Sequence, residues 1–430
     1  MKSRRCAIGL ISLALASAVS PAALAAAGEL DLSFSGNGKQ NSHFKGGDNY
    51  AGDVALQADG KIVEVGQVLR PSGLQPSKIA LLRLNTNGTL DTTFRRDGQA
   101  TIDFTHHDDA QAVVIQPDGK IVVAGRAAGH GGRFLLVRFR PNGHLDKTFS
   151  GDGAAFTDFT KGDDIAFAVA LQGDGKIVVA GAARGFSAAA SFAIARYNPD
   201  GTLDRSFSTD GRVRTNFTTL DDQAHDVAIQ SDGKIVTAGG AAMFVQTAES
   251  GFAFARYTTD GTLDSSFDGD GKQTLDFGGQ IDWADGVAIQ GDGKIVAAGT
   301  GGANGDFALA RLEIDGTPDA GFGSVGKVLT HFPGGFSGDF TGAFGGLALQ
   351  ADGKIVAAGT AQGFLRFALA RYETDGSLDP TFSGDGRVVT HFVCCDAVAE
   401  GVAIQADGKI VAAGGQGDTH SFAVARYFGG

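Results

Sequence analysis

A chain of 430 residues with 43% hydrophobic content would ordinarily divide into two or three domains, unless it is built of repeats, which reach this length as one unit. Its formal net charge of −12 argues against nucleic acid as a partner, because gripping a phosphate backbone takes a basic stripe. The 66 glycines are about twice the usual share of roughly 7%, with only 2 Met and 1 Trp, so the composition predicts many short strands joined by turns.

At the N-terminus Lys2, Arg4 and Arg5 precede an apolar stretch from Cys6 to Val19, then Pro21 and the small residues Ala22 to Ala27. That order is the pattern of a secretory signal peptide over residues 1–27, with cleavage after Ala25 or Ala27. The expected destination is periplasm, cell surface or medium. Cys6 would leave with the leader, and its place at the start of the apolar stretch does not suit a lipid-attachment cysteine. No later apolar run is long enough to span a bilayer. The remaining cysteines, Cys394 and Cys395, are neighbours whose bridge would close a small strained ring, so stability must come from a core, whatever their redox state.

From residue 28 to 430 the sequence reads as one repeat domain. Gln-x-Asp-Gly-Lys-Ile-Val occurs seven times, beginning at Gln57, Gln116, Gln172, Gln230, Gln290, Gln350 and Gln405, at spacings of 55 to 60 residues. Each unit holds four strand-like runs, here A to D. In the fourth they are Arg212 to Phe217, His225 to Gln230, Lys234 to Ala238 and Phe252 to Tyr257. Asp232-Gly233 between B and C is a two-residue hairpin turn, so B and C pair antiparallel. Strand C is apolar on both faces, as a strand inside a stack of sheets must be. Four-stranded units of this length suit propeller blades, and seven of them predict an all-β, seven-bladed β-propeller.

The chain begins within a D-to-A connector, Leu30 to Phe34, and ends after strand D at Tyr427. The first A strand is therefore expected to complete the seventh blade as an outer strand, closing the ring between the termini and covering its edge. The competing phase puts A innermost in its own blade.

The pattern Leu-Asp-x-x-Phe-x-x-x-Gly, Asp-x-Ala, Gln-x-Asp-Gly-Lys-Ile-Val-x-Ala-Gly and Phe-Ala-x-Ala-Arg-Tyr resembles the bacterial delta-60 repeat over residues 30 to 427. The resemblance implies a secreted or surface-exposed propeller and brings no catalytic residues. The first unit departs at Glu64-Val65-Gly66 and Leu81-Leu82-Arg83, and the sixth has Pro318 where Leu is usual.

One Arg and one Asp recur in every unit: Arg83, Arg138, Arg196, Arg256, Arg311, Arg371 and Arg426, with Asp31, Asp91, Asp146, Asp204, Asp264, Asp319 and Asp379. A catalytic group is needed once, whereas a group present in every blade builds blades, so these are expected to pair structurally near the D-to-A connector. The lysines after the Asp-Gly turns, such as Lys176 and Lys234, read as solvated turn residues.

Acidic residues precede most B strands: Asp108-Asp109, Asp163-Asp164, Asp221-Asp222, Asp282 with Asp285, and Asp396. With B innermost they would crowd one channel mouth, where a cation or polyamine could lodge. Gly-Asp-Gly pieces such as Gly269-Asp270-Gly271 invite a calcium reading, but an EF-hand register would need Glu where Phe277 stands. His43, His331 and His391 belong to units that ring closure makes adjacent, with Asp103 beside them, a set that could ligate a transition metal only if strand A were not outermost. No cofactor is expected. No nucleophile elbow, zincin helix or phosphate loop occurs.

The C-to-D loops vary in length and should emerge on one face of the disc, where Leu69, Leu74, Phe186, Met243, Phe244 and Phe364 are the candidate contacts. The expected function is a monomeric exported binding or scaffold module, with a protein or polysaccharide at the cell surface as partner. The alternative is a propeller hydrolase or lyase at the channel mouth, with or without a bound cation.

Overall fold

The computed structural model describes residues 25–45, 47–69, 77–105, 107–129, 131–186, 188–243, 250–279, 282–332, 344–361, 366–392, 397–417 and 421–430. They form an all-β ring of seven four-stranded antiparallel sheets, and no helix among them is long and apolar enough to cross a membrane.

The chain opens on β1 (Lys39–Ser42). Blade 1 follows as β2 (Asp48–Leu56), β3 (Ile62–Leu69), β4 (Ser77–Leu84) and β5 (Gln99–Ile102). Blade 2 is β6 (Asp108–Ile115), β7 (Ile121–Ala127), β8 (Arg133–Phe139) and β9 (Ala154–Thr157). Blade 3 is β10 (Asp163–Leu171), β11 (Ile177–Arg184), β12 (Ala190–Tyr197) and β13 (Arg212–Thr215). Blade 4 is β14 (Asp221–Ile229), β15 (Ile235–Met243), β16 (Gly251–Tyr257) and β17 (Lys272–Leu275). Blade 5 is β18 (Trp283–Ile289), β19 (Ile295–Gly301), β20 (Asp306–Leu312) and β21 (Lys327–Thr330). Blade 6 is β22 (Phe344–Leu349), β23 (Ile355–Ala361), β24 (Arg366–Tyr372) and β25 (Arg387–Thr390). Blade 7 takes β26 (Ala397–Ile404), β27 (Ile410–Gln416) and β28 (Ser421–Tyr427), and then β1 as its fourth strand.

Each blade thus runs B, C, D and then the A strand of the next unit, with B innermost and A outermost. This settles the phase in favour of the outer clasp. Lys39 to Ser42 pair with Ala425 to Phe422, and Gly28, Asp31 and Phe428 add backbone hydrogen bonds across the same seam. Strands B and C are longer than the sequence pattern suggests. In blade 4 they pair from Asp221↔Met243 down to Ile229↔Ile235, carried past the expected start at His225 by register shifts that the repeat motif does not signal.

The core lies between blades, because each C and D strand is apolar on both faces. Val122, Ala124, Phe134 and Leu136 of blade 2, for example, pack on Ile177, Val179, Ala193 and Tyr197 of blade 3. Glu64 on β3 places a carboxylate in this core, where the other units carry Val123, Val179, Thr237, Ala297, Ala357 and Ala412. It is 0% exposed, and neither carboxylate oxygen has a hydrogen-bond partner of good geometry. Burial drives its pKa well above the ordinary carboxylate range, against a weak opposing pull from the Gly414 amide of blade 7.

Candidate functional site

The recurring charges form one network per blade on the face that carries the D-to-A connectors. Arg196 Nε lies 2.8 Å from Asp204 Oδ2, and its six counterparts meet their aspartates at 2.7 to 2.9 Å, the seventh by joining Arg426 to Asp31 across the clasp. Nη1 of each arginine donates to a backbone carbonyl of the following blade, as Arg138 does to Pro199 at 2.6 Å. The guanidinium also covers the connector phenylalanine, Arg311 over Phe322 at 4.4 Å. Burial alone would raise Asp204, but the Ser206 hydroxyl and amide and the Arg196 guanidinium outweigh it and hold the carboxyl down to about 2. Six of the turn lysines reach this network, Lys294 at 2.7 Å from Asp319 and Lys354 at 2.7 Å from Asp379, while Lys120 pairs with Asp118 of its own turn. A carboxylate at the mouth of the Asp-Gly turn attracts the flexible ammonium and leaves it half-buried.

The central channel is lined by B strands, each of which breaks register near its middle, that of blade 4 also nearer its start, between Asp221 and Gln223. The inserted residues are Gly52, Gln111, Phe167, His225, Asp285, Gly345 and Glu400. Unlike the connector network, this position changes chemistry from blade to blade. His225 Nδ1 lies 2.8 Å from Asp285 Oδ1, and the Phe167 ring meets the imidazole edge-on at 5.3 Å. Burial pushes Glu400 up to about 7, with the Asp285 charge adding to it. Asp53 and Asp226, one residue beyond the insertion in blades 1 and 4, are likewise raised by burial to about 7. They nonetheless accept backbone amides from the next blade, Val113 at 2.9 Å and Val287 at 2.7 Å. Asp226 raises Asp53, and Asp285 raises both Glu400 and Asp226, so acids of blades 1, 4, 5 and 7 sense one another across the channel. Of these residues the sequence reading singled out Asp285 alone. The others were findable as the column five residues before each turn glutamine, where residue type fails to repeat.

Four of the acids expected at the channel mouth are turned inward. Asp108, Asp164, Asp222 and Asp282 are fully buried and cap their own A-to-B loops. Asp164 Oδ2, for example, accepts the amides of Phe159 at 2.7 Å and Thr160 at 3.0 Å. Asp396 lies outside the described residues. The possible metal ligands follow the outermost strands of separate blades: His331 after β21, His391 after β25, His43 after β1, and Asp103 after β5. His331 bonds Asp306 at 2.8 Å and His43 bonds Asn49 at 2.9 Å. Among the described residues no group of three or more His, Cys, Asp or Glu is placed to hold a metal ion.

On the opposite face, at the C-to-D loops, Phe186 is 83% exposed, the most exposed large apolar side chain among the described residues. It stands beside a cleft of about 340 Å³ between blades 2 and 3, with Arg126, Asp163 and Arg184 in its walls. Arg126 Nη2 lies 2.7 Å from Asp163 Oδ1, and Arg184 Nη2 lies 2.6 Å from Asp221 Oδ2. Leu69 ends β3 half-buried. Leu74, Phe244, Phe364 and the Met243 side chain lie outside the described residues.

A family profile described as "Domain of unknown function (DUF5122) beta-propeller" matches residues 57–94, 116–149, 172–207, 230–267, 290–322 and 350–382. The seventh unit, split between the two ends of the chain, is absent from those matches because its connector precedes its strands in the sequence. No curated protein sequence matches the chain. Among solved structures, the virginiamycin B lyase of Staphylococcus aureus superposes with a TM-score of 0.52 at 9% identity, covering 90% of this chain and 98% of that one. A streptogramin B lyase gives 0.52 at 10% identity, covering 90% and 97%. A protein of unknown function from Dyadobacter fermentans gives 0.50 at 12% identity, covering 91% and 99%. At these identities the likeness is one of fold.

Proposed function

We propose that this chain, a seven-bladed propeller built from the units of a β-propeller repeat family, is an exported binding module that engages its ligand on the C-to-D loop face. We count its units among the delta-60 repeats on the pattern quoted above. Export rests on the N-terminal pattern of basic, apolar and small residues. The observation that carries the binding reading is Phe186, held in water beside a cleft on a rigid scaffold. The purified chain should bind cell-envelope polysaccharide or an envelope protein. Replacing residues 185–189, between β11 and β12, by the shorter loop 302–305 should abolish that binding while leaving the unfolding midpoint in place. Binding indifferent to the loop exchange would refute the reading.

A second reading is favoured by the His225–Asp285 pair, an imidazole oriented through Nδ1 with acids of raised pKa around it, as general acid–base chemistry requires. It makes the channel the site of a hydrolase or lyase. Hydrolysis of p-nitrophenyl acetate between pH 6 and 8 that His225→Ala abolishes would support it, and a rate unchanged in the variant would remove it.

A further inference from the structure

We infer that the cleft between blades 2 and 3 is a subsite for a neutral glycan, a deepening that rests on the loop-face reading above. The cleft's charges cancel: Arg126 is matched by Asp163 and Arg184 by Asp221. An anionic ligand would have to displace a carboxylate from each arginine and leave it unpaired. A polyhydroxyl ligand need not, because each hydroxyl both donates and accepts and so fits a wall of alternating guanidinium and carboxylate groups. Arg126 Nε–H is buried against Gly132 without an acceptor, so it meets a ligand oxygen only if the guanidinium shifts toward the cleft.

The floor and lip complete the chemistry. At Gly132 an added Cβ would fall 1.9 Å from Asp163 Oδ1 and 2.8 Å from Arg126 Nε, and at Gly162 one would fall 2.0 Å from the Arg184 carbonyl oxygen. Any larger residue at these positions would displace the polar groups or fill the space beside them. Phe186 supplies a flat aromatic surface at the edge, on whose negative face the C–H groups of a sugar ring can stack. A cleft of about 340 Å³ lies at the lower end of small-ligand sites, roughly 300–1,000 Å³, and suits a short stretch of a sugar chain.

Affinity electrophoresis of the purified chain through gels containing laminarin, xylan or soluble starch tests this, with polygalacturonate as the charged control. The expected result is retardation by at least one neutral polymer, weakened at least tenfold by Phe186→Ala and also weakened by Arg126→Met, which keeps the apolar stem. Circular dichroism would confirm that both variants fold. Retardation by polygalacturonate alone would overturn the neutral class while leaving the loop-face reading standing. Retardation by a neutral polymer that survives both substitutions would place the sugar elsewhere and overturn the subsite. Failure of every neutral polymer would also overturn it, and the loop-face reading falls as well only if envelope proteins are not bound either.

Discussion

On the connector face Arg196 and its six counterparts make the same three contacts in every blade: a buried aspartate, a carbonyl of the next blade and a phenylalanine ring. On the loop face and in the channel, equivalent positions diverge. Arg126 and Arg184 are surface arginines of blades 2 and 3 alone, and the B-strand insertion passes through glycine, glutamine, phenylalanine, histidine, aspartate and glutamate. The contrast teaches that in a repeat ring uniformity marks what holds neighbours together, while function is sought where the ring departs from itself.

The sharpest way to break this contrast is at the clasp. Deleting residues 28–42 removes β1 and Asp31, leaves Arg426 buried without its carboxylate and opens the edge of β28. The expected outcome is the largest of all: loss of the cooperative unfolding transition, or self-association on size-exclusion chromatography. Next comes a single staple. Arg196→Ala takes the buried guanidinium from Asp204, leaving it Ser206 and Lys176, and strips the Thr259 carbonyl of its donor; breaking a buried pair costs about 3–5 kcal/mol, read from urea denaturation. The same network depends on acid. Because Asp204 and Asp319 are held at about 2 in the folded protein, below an unfolded value near 3.8, their contribution is present above the unfolded value and fades as pH falls toward 2. Acid titration of stability should show that fall in the wild type.

Glu64 predicts the opposite slope. Its folded pKa is raised, so the unfolded chain releases the proton first, and stability drains away as pH rises from about 4.5. Glu64→Val should therefore stabilise the protein at pH 7 by about 1–3 kcal/mol, the cost of an unsatisfied buried polar group, and flatten that part of the pH profile. Destabilisation by this substitution would mean the carboxyl has a role the packing does not reveal. The smallest effect belongs to the loop face, where Phe186→Ala should change stability by no more than about 0.5 kcal/mol, as exposed positions do.

Much of the architecture was legible because it is written seven times. Asp232-Gly233 and its equivalents announce the B–C hairpins, and the half-connector at Leu30 to Phe34 announces the clasp. What repetition could not announce is where a strand slips register. The insertion that brings His225 toward Asp285 depends on tertiary packing around the channel, and the spacing of the turn motif is blind to it. The acidic pairs misled for a related reason. Asp164 and Asp163 are adjacent in sequence, yet alternation along the strand sends one into the A-to-B loop as a cap and the other to Arg126 at the surface. The lysines were misread because their partner aspartates lie some 25 residues on, as from Lys294 to Asp319, beyond the reach of a local motif.

The central claim is that the loop face binds and the connector face builds. It is tested most directly by affinity electrophoresis of alanine variants from both faces, Phe186→Ala and Arg184→Ala against Lys176→Ala and Lys234→Ala, in the neutral polysaccharide that retards the wild type most. The account predicts lost retardation for the first pair and wild-type retardation for the second. Retardation lost with the lysines and kept without Phe186 would contradict it and move the ligand to the opposite face of the disc.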